Sequence, residues 1–347
     1  MYITARKKDT SKLTATMTLQ TLKQQIDQGA LPFMYLVTGT ETALIQKAHR
    51  LFSSIIDPAE QEMNQASYDF AEVGIDPILA DYLSAPFFGD HRLVLVENPT
   101  FLTAGSKLNA DQEKAFLSAI ERPVPGNLLV LFADDATLDK RKKVTKAVMK
   151  EAELLDLPAL NERQTKQAIQ QFLQQRQVTM DNAAEAELLL RTQASYSKVL
   201  AELPKLLAYA KESQTIDLAG VMGLVPKEST AQAFDLADLV LKGQKGAALE
   251  LYHDLIKNGE VPLRLNALLL GQFRLLLQVA GSQGSDQEVG QLLKVHPYRV
   301  KLARQSLGRY QPTKIRAGFL SILDMEIQMK SKTVDPVFLF EEFMVNF

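Results

Sequence analysis

The residues with the clearest chemical meaning form a turn at Gly39, between an apolar run and a helical pattern. The run YLVTG is followed by TETALIQKAH, and a strand, a glycine turn and a helix start in this order bind phosphate in many nucleotide-binding proteins. Nucleotide binding there also needs a second glycine, a lysine and a hydroxyl at the fifth, sixth and seventh positions after the first glycine. Those positions hold Leu44, Ile45 and Gln46. We therefore predict a degenerate nucleotide loop that does not bind nucleotide.

Acidic residues that could hold Mg²⁺ or activate water are few in the same region. Glu97 and Asn98 stand at the end of one apolar run, where an acidic pair would be needed, and Asp134 and Asp135 end another. The two aspartates are typical of a turn and a helix N-cap. They also leave open a second hypothesis, an active ATPase with a non-standard nucleotide site at Gly39 and Asp134.

Other catalytic and metal-binding patterns are not found in the sequence. The chain has no cysteine, which excludes thiol nucleophiles and disulfides and fits a reducing compartment. Its histidines have no metal-ligand spacing; they are His49, His91, His253 and His296. The sequence therefore predicts no catalytic residue, no metal site and no cofactor.

A run of basic residues, LDKRKKVTKAVMK, follows the two aspartates. Lys142, Lys146 and Lys150 are spaced so that a helix would place them on one face. Like charges at this spacing repel, and a polyanion such as the DNA backbone would relieve the repulsion. The pattern is equally typical of a solvated helix face, so DNA binding and simple solvent exposure both remain open.

Two adjacent phenylalanines stand in a connection, where polar residues are usual. Pro86, Phe87 and Phe88 precede Gly89 in the segment SAPFFGDH, between a helical pattern and an apolar run. The proline and the glycine interrupt the periodicity on both sides, which makes burial of both rings difficult. Exposed paired aromatics in a rigid turn are typical of a protein-binding element, whereas a turn packed into the core is the other interpretation.

Five β-rich runs alternate with helical patterns up to residue 157. The runs are Phe33–Thr38, Ala66–Phe70, Arg92–Glu97, Asn127–Phe132 and Glu153–Leu157. Stretches such as LVLV and LLVLF are apolar on both faces, as in parallel strands covered by helices on both sides. The alternation predicts an α/β domain with a mostly parallel sheet over residues 1–157.

The pattern changes after Pro158. No strand pattern returns, and three helical patterns predict a small helical domain over residues 158–228. Its last part, GLVPKEST at 223–230, has the composition of a linker. Seven further helical patterns predict an all-α domain over residues 229–347.

The overall composition is that of an ordinary globular protein. It is 46% hydrophobic and 23% charged, with a net charge of −2, which argues against a chain that is basic throughout. The N-terminal sequence lacks the apolar core of a signal peptide. The most apolar stretch, Val261–Ala280, contains Arg264 and Arg274, which favours a helix buried in a bundle over a membrane span. We expect a soluble, cytoplasmic protein without a membrane partner.

Several segments, taken in order, resemble the delta subunits of the bacterial DNA polymerase III clamp loader, in their Gram-positive form. They are Tyr35–Ala48, Ala85–Pro99, Leu128–Lys143, Phe234–Pro262 and His296–Gln305. The resemblance covers nearly the whole chain. It implies an AAA+-like first domain (1–157), a small helical lid domain (158–228) and a collar domain (229–347) that joins a pentameric ring.

The resemblance also implies a function. In the family, an element of the first domain inserts a hydrophobic pair into a pocket of the beta sliding clamp, and Pro86, Phe87 and Phe88 match it here. The better-known form has a Ser-Leu-Phe type of sequence there, from which Phe87 departs. The implied role is to open the clamp ring for loading onto primed DNA during replication. The implied partners are the clamp, the tau/gamma ATPase subunits, delta-prime and primed DNA, with no ATP hydrolysis or other activity by this subunit.

Overall fold

The structure, a computed structural model, describes residues 17–87, 89–227, 229–331 and 334–347, with the backbone alone at 229 and 230. The chain divides into two compact units, Met1–Ala159 and Leu160–Phe347. Each unit contains two hydrophobic clusters.

The first unit opens with a short helix that the sequence patterns did not predict. Thr18 caps this helix, α1 (Leu19–Asp27), by accepting a hydrogen bond from the N–H of Thr21 at 3.1 Å. Leu22 is buried, and Leu19 and Ile26 pack against the same cluster, but the other six residues of the helix are polar. The elements that follow in this unit are β1 (Met34–Gly39), α2 (Thr42–Ser53), α3 (Gln61–Asn64), β2 (Gln65–Asp69), α4 (Phe70–Val73), α5 (Ile75–Tyr82), β3 (Arg92–Glu97), α6 (Ala110–Glu121), β4 (Asn127–Asp134), α7 (Lys143–Glu151) and β5 (Glu153–Leu157).

The five strands form one sheet in the order β2-β3-β4-β1-β5, and each pair in it is parallel. Successive residues face opposite sides. Leu36 and Leu129 belong to the cluster built with α5, α6 and α7, whereas Val37 and Val130 belong to the cluster built with α1 and α2. Because both faces are covered, the three central strands β3, β4 and β1 are buried at most positions, whereas the edge strands β2 and β5 are more polar. The predicted α/β domain with a mostly parallel sheet is confirmed in this architecture.

The expectation that no strand follows Pro158 is wrong. The strands β6 (Thr179–Met180) and β7 (Thr215–Ile216) form a parallel pair of two residues each, which is too short to leave a period in the sequence. The helices of the second unit are α8 (Glu162–Gln174), α9 (Asn182–Arg191), α10 (Tyr196–Tyr209), α11 (Leu218–Leu224), α12 (Ser229–Lys242), α13 (Lys245–Lys257), α14 (Pro262–Ala280), α15 (Asp286–Leu293), α16 (Pro297–Leu307), α17 (Pro312–Ser331) and α18 (Pro336–Asn346).

Helix α14 is the apolar stretch of the sequence, and it lies inside the C-terminal helices. Phe273 of α14 is fully buried. Gly318 of α17 makes room for it, since a Cβ at Gly318 would lie 2.4 Å from the Phe273 ring. The predicted bundle helix is therefore confirmed. Among the described residues, no helix is long and apolar enough to cross a membrane.

The second unit has one hydrophobic cluster within residues 169–225 and a larger one within residues 236–344. Tyr298 of α16 packs into the first cluster although it lies far from it in the sequence. The predicted linker at 223–230 is shorter than expected, because α11 continues to Leu224 and α12 begins at Ser229. Residue 228 lies outside the described residues, and the division into a lid and a collar domain stays a prediction.

Candidate functional site

An exposed aromatic ring stands on the connection between α5 and β3, which we call the aromatic turn (Ser84–His91). Phe87 is 70% exposed, although a phenylalanine normally gains free energy by burial. Pro86 precedes it and is partly buried. Phe88, which was predicted to act with Phe87, lies outside the described residues. An exposed ring on a turn can act by entering an apolar pocket of another protein.

The backbone of the aromatic turn is held at Phe87 by Asn64, the last residue of α3. Asn64 is fully buried, and its Oδ1 accepts a hydrogen bond from the Phe87 N–H at 2.7 Å. Its Nδ2 is 3.5 Å from the Oε2 of Glu60. A buried acceptor that pairs with this N–H fixes the Phe87 backbone while the ring stays in solvent.

The two ends of the aromatic turn are held by residues at the start of β4. Asn127 is 2% exposed, and its Nδ2 donates to the carbonyls of Tyr82 at 2.5 Å and Ser84 at 2.8 Å. At the other end, the His91 Nδ1 lies 3.2 Å from the Gly126 carbonyl. Both ends are therefore tied to the same part of the sheet, and the turn presents Phe87 from a fixed base.

The aromatic pair is recognisable in the sequence, whereas the two asparagines that hold the backbone of the aromatic turn were not predicted. Asn127 begins the run NLLVLF, in which it is the one polar residue. A polar residue inside an apolar strand pattern is a signal of a buried hydrogen-bonding role. Asn64 carries no comparable signal, because the polar residues Gln61, Glu62 and Gln65 surround it in the sequence.

The backbone N–H groups at the Gly39 turn already have a partner. Those of Thr40 and Glu41 both donate to the carbonyl oxygen of Leu157, at 3.0 Å each. Gly39 has φ +123°, and a Cβ on it would lie 2.1 Å from the same oxygen. The end of β5 thus takes up two N–H groups of the turn that precedes α2, and it puts the negative end of a carbonyl dipole beside them.

The residues that replace the phosphate-binding side chains have other surroundings. Ile45 is 5% exposed and belongs to the hydrophobic cluster under α2, against which Leu44 also packs. Gln46 is exposed. Glu41, which precedes α2, is 3% exposed. Two of the three replacements therefore contribute to the core of the first unit.

Asp134 lies next to Gly39, because the two residues are paired in the register of β1 and β4. The structure thus brings together the residues of the non-standard-site hypothesis. Burial and the neighbouring Glu97 raise the pKa of the Asp134 carboxyl, and His49 opposes the shift. The His49 Nε2 is 3.1 Å from the Glu97 Oε1. Among the described residues, no group of three or more acidic or histidine side chains is arranged to hold a metal ion.

The N-cap interpretation of the two aspartates is wrong. Asp134 ends β4, and Asp135 forms a turn with φ 49° whose N–H donates to the Gly39 carbonyl at 2.9 Å. Lys142, not an aspartate, precedes α7. The turn interpretation is confirmed.

The three lysines predicted to form one basic face have different environments. The Lys142 ammonium donates to the carbonyls of Phe101 at 3.1 Å, Thr103 and Ser106. It therefore ties the start of α7 to the preceding loop. Lys146 is exposed on α7, and the Lys150 Nζ lies 3.1 Å from the Glu151 Oε1.

The other basic residues of the segment are likewise either paired within the chain or exposed without an ion pair. The Arg141 guanidinium donates to both carboxylate oxygens of Asp139, at 2.8 and 2.9 Å, and its hydrogen bonds hold the pKa of Asp139 at about 2. Lys140 and Lys143 are exposed, and like Lys146 they form no ion pair within the part of the chain that is described. Lys140, Lys143 and Lys146 are therefore the exposed basic residues of the segment that have no ion pair within the described residues.

Two family models match the chain. The model of the DNA polymerase III delta subunit matches residues 35–157, which contain the Gly39 turn and the aromatic turn. The model of the C-terminal domain of the same subunit matches residues 230–347.

Individual proteins are similar to the chain over nearly its whole length. The DNA polymerase III subunit delta of Bacillus subtilis (strain 168) is 30% identical over 329 residues, which are 93% of this chain and 95% of that protein. A solved structure, the Bacillus subtilis DNA clamp loader delta protein (YqeN), superposes with a TM-score of 0.69 at 29% identity. The superposition covers 94% of this chain and 98% of that one.

Proposed function

The chain belongs to the DNA polymerase III delta subunit family, and from this premise we propose that it acts in the clamp loader by opening the beta sliding clamp. Pro86, Phe87 and Phe88 of the aromatic turn bind a hydrophobic pocket of the clamp. The bound subunit holds one clamp protomer in a shape that favours an open ring interface, so that the ring can be loaded onto primed DNA.

The observation that supports this proposal best is the exposed Phe87 ring on a turn tied to the sheet. Asn64 fixes the backbone at Phe87, and Asn127 fixes the backbone that precedes it at Tyr82 and Ser84, so little conformational freedom is lost when the turn binds. Burial of two phenylalanine side chains contributes about 3–6 kcal/mol before ordering costs. Such a free energy is enough to shift a ring between closed and open states.

The proposed assembly is a pentameric ring with the tau/gamma ATPase subunits and delta-prime. In it, residues 1–157 form the AAA+-like domain, residues 158–228 the lid and residues 229–347 the collar that joins the ring. ATP bound by the partner subunits governs whether the aromatic turn reaches the clamp. The subunit itself does binding work and hydrolyses no ATP.

The test of this function is equilibrium binding of the full chain to purified beta clamp, followed by loading of the clamp onto primed DNA by the reconstituted complex. We expect saturable binding by the isolated chain and no loading when the chain is left out. The proposal is overturned if the complex without this chain loads the clamp at the same rate.

We predict that the isolated chain does not bind nucleotide. Calorimetric titration with MgATP is expected to give no saturable heat up to about 1 mM, because the Leu157 carbonyl occupies the N–H groups of Thr40 and Glu41. Saturable binding that is lost on Asp134→Asn would favour the alternative, an active ATPase with a non-standard site at Gly39 and Asp134. Thr42→Ala, at an exposed position of α2, serves as the matched control.

We propose a DNA contact through the exposed lysines of α7, with Lys143 and Lys146 as its main residues. We measure how the binding constant of the complex for primed DNA falls with salt concentration. Replacing both lysines with methionine is expected to make the slope of log K against log salt concentration less steep by about 2. Lys142→Met is expected to leave the slope unchanged and to lower the stability of the chain by about 1–3 kcal/mol, because three carbonyls lose their donor. An equal fall in slope for Lys142→Met would contradict this division.

A further inference from the structure

Arg299 of α16 differs from the other basic residues of its helix. Lys301 pairs with Glu162 of α8, and Arg304 pairs with Asp286 at 2.7 Å. The Arg299 guanidinium has no hydrogen bond or ion pair within the described residues, while its backbone N–H donates to the His296 carbonyl at 2.9 Å. Burial alone lowers its pKa, with no carboxylate to offset the effect.

The Arg299 side chain lines a small, partly enclosed cavity of the second unit. The apolar part of the wall comes from Leu190 of α9, Ala231 and Phe234 of α12 and Leu302 of α16. Two further polar residues, Gln272 of α14 and Gln193, also line the cavity. Gln272 is 5% exposed, and no hydrogen bond of its side chain lies within the part of the chain described.

A guanidinium that is partly buried and has no counter-charge is less favourable than one in open water, because it has lost part of its hydration and gained no partner. The penalty is removed when a ligand brings a negative charge to it. The planar fork of arginine matches the two oxygens of a carboxylate, and the amide of Gln272 can donate an additional hydrogen bond. A DNA phosphate is a poor candidate, since its diester links would have to enter a narrow cavity with apolar walls.

We propose that the Arg299 cavity is a carboxylate-binding site, in which the Arg299 guanidinium receives the carboxylate and the Gln272 amide orients it. The carboxylate comes from one of two sources, an acidic side chain of a neighbouring clamp-loader subunit or a free small carboxylate. The first source rests on the proposed function, and the second does not.

The first experiment asks whether Arg299 is an uncompensated charge. Arg299→Met removes the charge and keeps most of the side-chain volume, so the melting temperature of the isolated full chain is expected to rise by about 2–4 °C. Arg309→Met, at an exposed position after the same helix, is the matched control and is expected to change the melting temperature by less than about 1 °C. A fall in melting temperature for Arg299→Met would show a structural role for the side chain and overturn the proposal.

The second experiment tests the free carboxylate. Potassium acetate at a concentration well above its Kd, compared with potassium chloride at equal ionic strength, is expected to raise the melting temperature of the unaltered chain by about 2–4 °C. Arg299→Met should lose this rise, and Arg299→Lys, which keeps the charge without the fork, should lose most of it. A rise with inorganic phosphate but not with acetate would overturn the assignment to a carboxylate.

The third experiment tests the protein-borne carboxylate. If acetate has no effect, Arg299→Met is expected to weaken assembly of the chain with its partner subunits by about 10-fold or more, while Arg309→Met does not. Binding of the clamp by the isolated chain is measured in parallel, so that a failure of the proposed function is seen separately. A stabilised Arg299→Met variant that shows neither an acetate effect nor an assembly defect would overturn the site.

Discussion

Replacing Phe87 and Phe88 together with alanine is expected to weaken binding of the beta clamp by about 100-fold or more. Phe87 is 70% exposed in the isolated chain, so replacing this ring removes little from the core of the first unit. Its effect should therefore fall on binding. The loss of two buried rings at an interface corresponds to about 3–6 kcal/mol before ordering costs.

The measurement is equilibrium binding of the isolated chain to the clamp, with thermal melting of each variant to verify its fold. Phe338→Ala is the matched control, since Phe338 is also an exposed phenylalanine, at 55%, and lies on α18 of the other unit. We expect the control to bind the clamp like the unaltered chain. Unchanged clamp affinity in the double variant would show that the aromatic turn has been assigned wrongly.

Gly39→Ala is expected to destabilise the first unit by about 4 kcal/mol or more. A Cβ at this position would lie 2.1 Å from the Leu157 oxygen, and φ is +123°, outside the region that an alanine adopts at low cost. To avoid the overlap, β1 and the end of β5 would have to separate, and the hydrogen bonds from Thr40 and Glu41 to Leu157 would break.

Gly29→Ala is the matched control for this effect. Gly29 also has a positive φ, +64°, but nothing lies within 4 Å of its would-be Cβ. Its replacement should cost about 1 kcal/mol, and urea unfolding of both variants, followed by circular dichroism, measures the difference. Equal stabilities would mean that the Leu157 carbonyl does not hold the turn in solution, and the explanation for the lack of nucleotide binding would fall with it.

The order of the elements was largely predictable from the sequence. All five long strands, the longer helices between them (α2, α5, α6 and α7) and the seven C-terminal helices lie within a few residues of their predicted positions, whereas the four-residue helices α3 and α4 were not predicted. The predicted elements are long and strongly periodic, or apolar on both faces, and such patterns follow directly from burial. The elements that were missed are short or polar, such as α1 and the two-residue strands β6 and β7.

The basic segment shows where sequence reasoning reached its limit. Spacing alone treats Lys142, Lys146 and Lys150 as equivalent, but α7 begins at Lys143, and the Lys142 ammonium is taken up by three loop carbonyls. Those carbonyls lie some 40 residues earlier in the chain. A contact over such a distance leaves no local pattern, so only the folded structure reveals it.

For the Gly39 turn, too, the sequence determined one property and the tertiary structure another. Its sequence determined that the lysine and hydroxyl needed for phosphate are missing, because those groups are defined by residue type at fixed spacing. The tertiary structure alone decided that the N–H groups of the turn bond the Leu157 carbonyl, because β5 reaches β1 only once the sheet has formed. In the aromatic turn, likewise, residue type identified Phe87, whereas the buried partners Asn64 and Asn127 came from distant elements that folding brings together.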